Sequence, residues 1–326
     1  MNFLPDKILL RFLANTSWLL GVAVFLFFGV LSPGFLEVAN LVNILIQSSS
    51  AAIVAIGMTF VLLTGGIDLS VGAVMFLSAV VAGKMVLSGL PLPLAILSIM
   101  AIGIVIGCVN ALFITRLKIL AFVVTLATLY VGRGLALMIS QTRAMNLPET
   151  FLHIGSARWL EVPFPILVFA VVLVSSHLVL SRTAYGRQIY ALGNDLTSAA
   201  KAGIPVFRIQ ASVYIISGFL AAVGGIVSVA QLGAVSPTFG NQREFAAVAA
   251  AVLGGTSLFG GRGKVFPGTI LGAILIQGVE NGLVILNADP YIYPLITASI
   301  IFLAVLLDSL QHQQLRKLAR RKIRPA

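Results

Sequence analysis

The chain has 326 residues, of which 59% are hydrophobic and only 10% charged, with a formal net charge of +11. Soluble domains carry about 25% charged residues, so this composition excludes a soluble globular protein and leaves an all-α polytopic membrane protein in contact with lipid. The basic balance does not imply a nucleic-acid partner, because the lysines and arginines sit between apolar runs and in one tail, where loop orientation accounts for them.

Ten apolar segments run through the chain, at about 14–31, 41–63, 69–88, 92–115, 119–140, 162–181, 209–231, 244–258, 266–286 and 291–307. Most approach the roughly 20 residues that a helix needs to cross a bilayer. Lys7 and Arg11 precede the first as they would in a signal peptide, but Leu31-Ser32-Pro33 offers no small-residue cleavage site, so an uncleaved first span is expected. Pro33, Pro91, Pro163, Pro237 and Pro290 fall in the gaps, where a missing N–H costs little. With the N-terminus in the cytoplasm, Lys84, Arg143, Arg158 and Arg243 fall outside and Arg133 within a span; the other 16 of the 21 basic residues fall inside. This bias predicts about ten crossings, or eight if a broken segment re-enters, with both termini cytoplasmic. Residues 1–326 read as a single transmembrane domain with a long inner loop at 182–208 and a basic cytoplasmic tail at 308–326.

In chain order, the first informative stretch runs from Gly57 to Gly72. A long apolar run stops at Gly65-Gly66, exposes Asp68, and turns apolar again at Leu69. Adjacent glycines loosen a helix and admit another backbone, and a carboxylate at membrane depth needs a wet or protein-lined setting. A broken helix with a polar turn is how many transporters line a pathway. Upstream, Asn43 and Gln47 share one helix face and Ser48, Ser49 and Ser50 follow; downstream, Asn110, Arg133, Gln277, Glu280 and Asn281 also fall within spans. These groups either line a path for a polyhydroxylated solute or tie helices together. Asn43, Gln47, Gly65, Gly66, Asp68 and Ser70 are the candidates for a path or gate. Gly103-x-x-x-Gly107 and Gly268-x-x-x-Gly272 are expected to mark close helix contacts.

The inner loop is mixed in character. Asp195 is positioned to cap a short helix that Gly203 and Pro205 would end. Such a helix could form a docking ridge for a cytoplasmic partner, or the loop could be a plain connector. Further on, Gly254-Gly255-Thr256-Ser257-Leu258 echoes Gly65-Gly66-Ile67-Asp68-Leu69, either as an internal duplication or as a chance match of small residues.

The common chemistries are missing. Gly263-Lys264 fails as a phosphate loop, because the earlier glycine position holds Leu258 and the hydroxyl position Val265. Gly132-Arg133-Gly134 fails as a dinucleotide fingerprint at Leu137. Cys108 stands alone, and His153, His177 and His312 lack metal spacing. No catalytic residue, metal or cofactor is expected.

Three motifs together carry a resemblance: Ile56-Gly57-Met58-Thr59 through Thr64-Gly65-Gly66-Ile67-Asp68-Leu69-Ser70-Val71-Gly72; Tyr185-Gly186-Arg187 with Tyr190-Ala191-Leu192-Gly193-Asn194, then Ala199-Ala200 to Gly203-Ile204; and Ala249 through Gly263. In this order, over nearly the whole chain, they resemble the membrane permeases of bacterial ribose-type ABC sugar importers. The resemblance implies a multi-pass subunit of the bacterial inner membrane that moves a monosaccharide-like solute inward without hydrolysing ATP itself. It implies a cytoplasmic ATP-binding partner, a periplasmic sugar-binding protein and a second permease copy or sister permease. It places the Asp68 motif near the gate and makes 183–205 the loop that docks on the ATPase, with Gly186, Arg187, Asn194, Asp195, Ala199, Ala200 and Gly203 as coupling residues. Many relatives carry an aspartate near the start of the third motif, where this chain has Ala246, so ribose, xylose, galactose, autoinducer-2 and other small polyols stay open as solutes. The competing readings are an ion-coupled secondary transporter with Asp68 as proton carrier, an intramembrane enzyme, and a structural subunit without a path.

Overall fold

The computed structural model describes residues 16–300 together with 302, 303, 305, 306 and 309. Lys7, Arg11 and the basic tail, apart from residue 309, lie outside the described residues. Helices form at α1 Thr16–Leu31, α2 Val38–Leu63, α3 Val71–Leu87, α4 Leu92–Ala111, α5 Ala121–Ser140, α6 Glu149–Ser156 and α7 Phe164–Arg182. They continue with α8 Ala184–Asn194, α9 Leu196–Lys201, α10 Val206–Leu232, α11 Arg243–Leu253, α12 Ile270–Ile285 and a last helix, α13, over 293–300. Each of the ten apolar segments thus holds a helix. Among the described residues, six helices are long and apolar enough to cross a membrane: Val38–Leu63, Leu92–Arg116, Ala121–Ser140, Phe164–Arg182, Val206–Leu232 and Val265–Ile285. Strand structure among the described residues is limited to two short antiparallel ladders, β1 Met145–Asn146 with β4 Ala234–Val235 and β2 Arg158–Trp159 with β3 Val162–Pro163.

Burial sorts the helices. The apolar windows of α2 and α10 are 78% and 72% buried, against 22% for α4 and α5. A helix apolar on all sides yet mostly uncovered has lipid as its partner, so α2 and α10 form the centre and α4, α5 and α7 the flank. Cys108 falls on the exposed face of α4 rather than in the core. Close approach at the centre depends on small residues. A methyl at Gly103 would overlap the Gly218 carbonyl, one at Gly218 would overlap Gly103, and one at Gly107 would strike the backbone of Tyr214 and Ile215. Gly268 meets Gly254 and Gly272 meets Ala250 in the same way. Both small-residue pairs read from the sequence therefore mark real contacts. Overpacking costs about 1–3 kcal/mol, so Gly103→Val is expected to lower the melting temperature of the detergent-solubilised chain by several degrees. Gly134→Val, at a site with nothing within 4 Å, should leave it unchanged.

α11 is too short to cross by itself. The 11 residues of α11 rise only about 16 Å, whereas the 27 of α10 rise about 40 Å. α11 therefore starts near mid-depth, and residues 233–242 descend to it from the far end of α10. Residues 64–70 make the opposite excursion between α2 and α3. The first turn of α3 meets the 233–242 segment at Gly72 and Gly240, each of which lacks room for a methyl against the other's backbone.

The breaks themselves use one device. At Gly65 (φ 78°) the Gly65 N–H bonds Leu62 O and the Gly66 N–H bonds Val61 O; at Gly255 (φ 88°) the Gly255 N–H bonds Val252 O and the Thr256 N–H bonds Ala251 O. This is the Schellman cap, whose left-handed residue favours glycine. Gly65 thus corresponds to Gly255 and not to Gly254, one residue away from the register of the sequence echo. Gly89 and Gly203 end other helices with the same bond pattern, so the echo reports a shared way of stopping a helix and is no evidence of duplication.

Candidate functional site

The candidate path residues separate into two places. Beyond the Gly65 cap, Asp68 is fully buried. Its Oδ1 accepts from the Ser70 N–H (3.0 Å) and the Ser70 hydroxyl (2.6 Å). Ser70 Oγ in turn accepts from Asn110 Nδ2 of α4 (2.9 Å), and Asn110 Oδ1 accepts from Thr128 Oγ1 of α5 (2.6 Å). Tyr214 of α10, also buried, lays its hydroxyl where a methyl on Gly66 would sit. Asp68 Oδ2 and the hydroxyl of Ser217, which stands beside the carboxyl, have no hydrogen-bond partner. Among the described residues no cation lies within ion-pair distance of Asp68; Arg158–Glu161 is the one such pair. Gly65, Gly66, Asp68 and Ser70 therefore form a helix junction that pins the break to α4, α5 and α10, and none of them lines either of the two cavities described next.

Asn43 and Gln47 lie elsewhere, on a cavity of about 580 Å³ that also takes in Gln231, Gln277, Arg243 and Glu280. Gln277 Nε2 donates to Gln47 Oε1 (3.0 Å) and Gln47 Nε2 to Asn43 Oδ1 (3.1 Å). One turn further out, Asn40 and Asn281 exchange a reciprocal pair of amide bonds at 2.9 and 3.1 Å. The two readings of the intramembrane amides thus coexist, since this ladder ties α2 to α12 while its face borders open space. A second cavity of about 860 Å³ lies between the start of α11 and α13, with Ala246 on its wall. Arg243, read from sequence as an outer-loop charge, instead opens α11 and borders both cavities. Arg133 donates to the Pro237 carbonyl (3.1 Å) and lies over the Phe76 ring.

At the end of the bundle opposite this cavity, the 182–208 loop folds into α8 and α9. Thr183 Oγ1 caps α8 through the Gly186 N–H (3.1 Å), and Asp195 caps α9 through the Ser198 N–H (2.6 Å). Hydrogen bonds from Ser198, first from its N–H and then from its hydroxyl, hold the Asp195 carboxyl below the usual range. The cap is therefore fully formed above the ordinary aspartate range and is lost as pH falls through the depressed value. Gly203 (φ 79°) ends α9 as expected. Ile189, Leu192 and Ala199 face inward, while Arg187, Asn194, Asp195 and Ala200 face out. Gly186 is buried, and a methyl there would overlap the Val179 and Leu180 carbonyls.

The residue that sequence reasoning passed over is Gly193. A methyl on it would overlap the Leu63 carbonyl and the Gly261 N–H, which are themselves bonded at 2.9 Å. Tyr190 adds a bond from its hydroxyl to Gly263 O (2.9 Å). Thus α8, the end of α2 and the 254–264 loop converge on one seat. The available signal was a glycine inside an amphipathic helix, where it costs about 1 kcal/mol relative to alanine and so has a packing reason.

Comparison with known proteins agrees with this architecture. Residues 40–309 match the family described as branched-chain amino acid transport system / permease component. The chain is 38% identical to the ribose import permease protein RbsC of Haemophilus influenzae, covering 86% of this chain and 88% of that one. It is 36% identical to the D-allose transport system permease protein AlsC of Escherichia coli, over 91% of each, and 31% identical to its xylose transport system permease protein XylH, over 88% of this chain and 89% of the other. No solved structure matches. Given a match over most of its length and relatives of near-equal extent, the chain belongs to this family of ABC-transporter permease components.

Proposed function

We propose that the chain is the membrane-spanning subunit of a bacterial inner-membrane importer for a monosaccharide-like solute, working as one half of a permease pair. The names of the relatives support the solute class. In this reading the chain crosses the membrane ten times, in places by a short helix and a non-helical stretch together, with both termini in the cytoplasm, so the α8–α9 end faces the cytoplasm and the 580 Å³ cavity faces outward. The observation that carries the mechanism is the seat at Gly193, which joins the exposed ridge of α8 and α9 to the end of α2 and to the 254–264 loop through backbone contact. A separate ATP-binding subunit docking on Arg187, Asn194, Asp195 and Ala200 would move α8. Through Leu63 and Gly261 that motion would reach the Asp68 junction and open or close the path. A periplasmic sugar-binding protein would deliver the solute at the outer cavity.

The test is uptake by vesicles that contain the chain, its ATP-binding subunit and the binding protein. Accumulation should require ATP, vanish when the ATP-binding subunit is left out and survive an uncoupler. Accumulation without that subunit, or collapse on dissipating the proton gradient, would replace this reading with ion-coupled transport through Asp68.

A further inference from the structure

We propose that Arg243 and Glu280 form the solute-recognising floor of the outer vestibule, and that they take an uncharged polyhydroxylated molecule of monosaccharide size. The proposal rests on the permease reading and names the residues that would carry its selectivity. Among the described residues, Arg243 and Glu280 are the two common to the linings of both cavities, and the only charged ones in either lining. They form the wall where the two spaces meet.

Their depth agrees. Arg243 opens α11, about 16 Å above its other end, and Glu280 sits a similar distance along α12 at 1.5 Å per residue. A guanidinium and a carboxylate near mid-depth are costly unless they are partnered or face a polar space. Within the described residues neither side chain makes a hydrogen bond, and the pair is not closed at ion-pair distance. Both are half-buried, so their polar atoms are open to the cavities rather than sealed. A purely structural ion pair would be closed and bonded.

The chemistry of the floor selects its occupant. Arginine offers only donors and glutamate only acceptors. A hydroxyl does both, so neighbouring hydroxyls on one molecule can bridge the two groups. The opposite charges compensate, which leaves no net attraction for an ion. The amide ladder adds to this set. With Gln277 Nε2 bonded to Gln47 and Gln47 Nε2 bonded to Asn43, the Gln277 Oε1 acceptor and the Asn43 Nδ2 donor remain uncommitted among the described residues. A volume of about 580 Å³ falls within the roughly 300–1,000 Å³ of small-molecule sites.

The test uses the complete importer in proteoliposomes. Uptake of D-ribose, D-allose and D-xylose is measured beside ATPase activity stimulated by the binding protein. Glu280→Gln and Arg243→Gln are each expected to cut uptake of the preferred sugar by about tenfold or more, while stimulated ATPase stays within about twofold of wild type. Uptake within about twofold of wild type in both variants would overturn the proposal, as would uptake and ATPase falling in parallel, which marks a structural role. If a glutamine variant fails to assemble on size exclusion, Glu280→Asp and Arg243→Lys decide instead. A change in the order of preference among the three sugars supports the proposal, and an unchanged order refutes it. A wild-type importer that takes up none of the three with ATP would count against the permease reading itself.

Discussion

Asp68→Leu is expected to abolish uptake, by at least about tenfold, whereas Asp68→Asn should retain most of it. Leucine keeps the branched outline, in a larger side chain, but removes the acceptor for both the Ser70 N–H and the Ser70 hydroxyl. In a site closed to water each unsatisfied donor costs about 1–3 kcal/mol, roughly 2–6 in all, and the Asn110–Thr128 chain loses its anchor. The break would then no longer be held against α4 and α5. Asparagine keeps the Oδ1 acceptor and puts a donor in place of Oδ2, which has no partner, beside a Ser217 hydroxyl that also has none. The amide can therefore complete the junction. A proton-carrying Asp68 makes the opposite prediction, because an amide neither takes up nor releases a proton at neutral pH. ATP-driven uptake by both variants, with assembly checked by size exclusion, decides. Failure of Asp68→Asn in an assembled importer would return Asp68 to an ion-coupling role.

The second large effect is expected at Gly193. Gly193→Ala places a methyl against two backbone groups, the Leu63 carbonyl and the Gly261 N–H. Neither can turn away as a side chain would, so the overpacking cost of about 1–3 kcal/mol falls on the seating of α8 itself. Stimulated ATPase should separate from transport, with ATP turnover persisting while uptake drops about tenfold or more. Ala184→Ser, on an exposed position at the start of α8 that the docking face does not use, is the control and should leave both intact. Full coupled uptake by Gly193→Ala would show that force does not pass through this seat.

Much of this architecture was legible in the chain. The helices follow from unbroken apolar runs, and the glycine pairs at Gly103 and Gly268 mark close contacts because only a missing side chain permits them. The cap at Asp195 and the stop at Gly203 were readable because both act within a few residues. What escaped was relational. Thr183 capping α8 is equally local and was passed over, but the seat of Gly193 on Leu63 joins positions far apart in sequence. The division of the candidate path residues between a sealed junction and an open cavity is likewise set by depth, which α11 reveals through its length. Polarity alone cannot tell an amide that binds a neighbouring helix from one that borders space, and the ladder from Asn43 to Gln277 does both.

The two ends of the bundle are fastened by different means. At the α8 end main chain rests on main chain, with no rotatable bond between Gly193, Leu63 and Gly261; at the other, α2 and α12 hold each other through amide side chains. Amides can trade a protein partner for a water molecule or a hydroxyl one bond at a time, whereas a main-chain seat shifts as a block or not at all. In the proposed importer, a push on the ridge would travel undamped, as through a stiff pushrod, and arrive at a mouth whose latches release singly, so that the timing of solute release would be set at the mouth rather than at the engine.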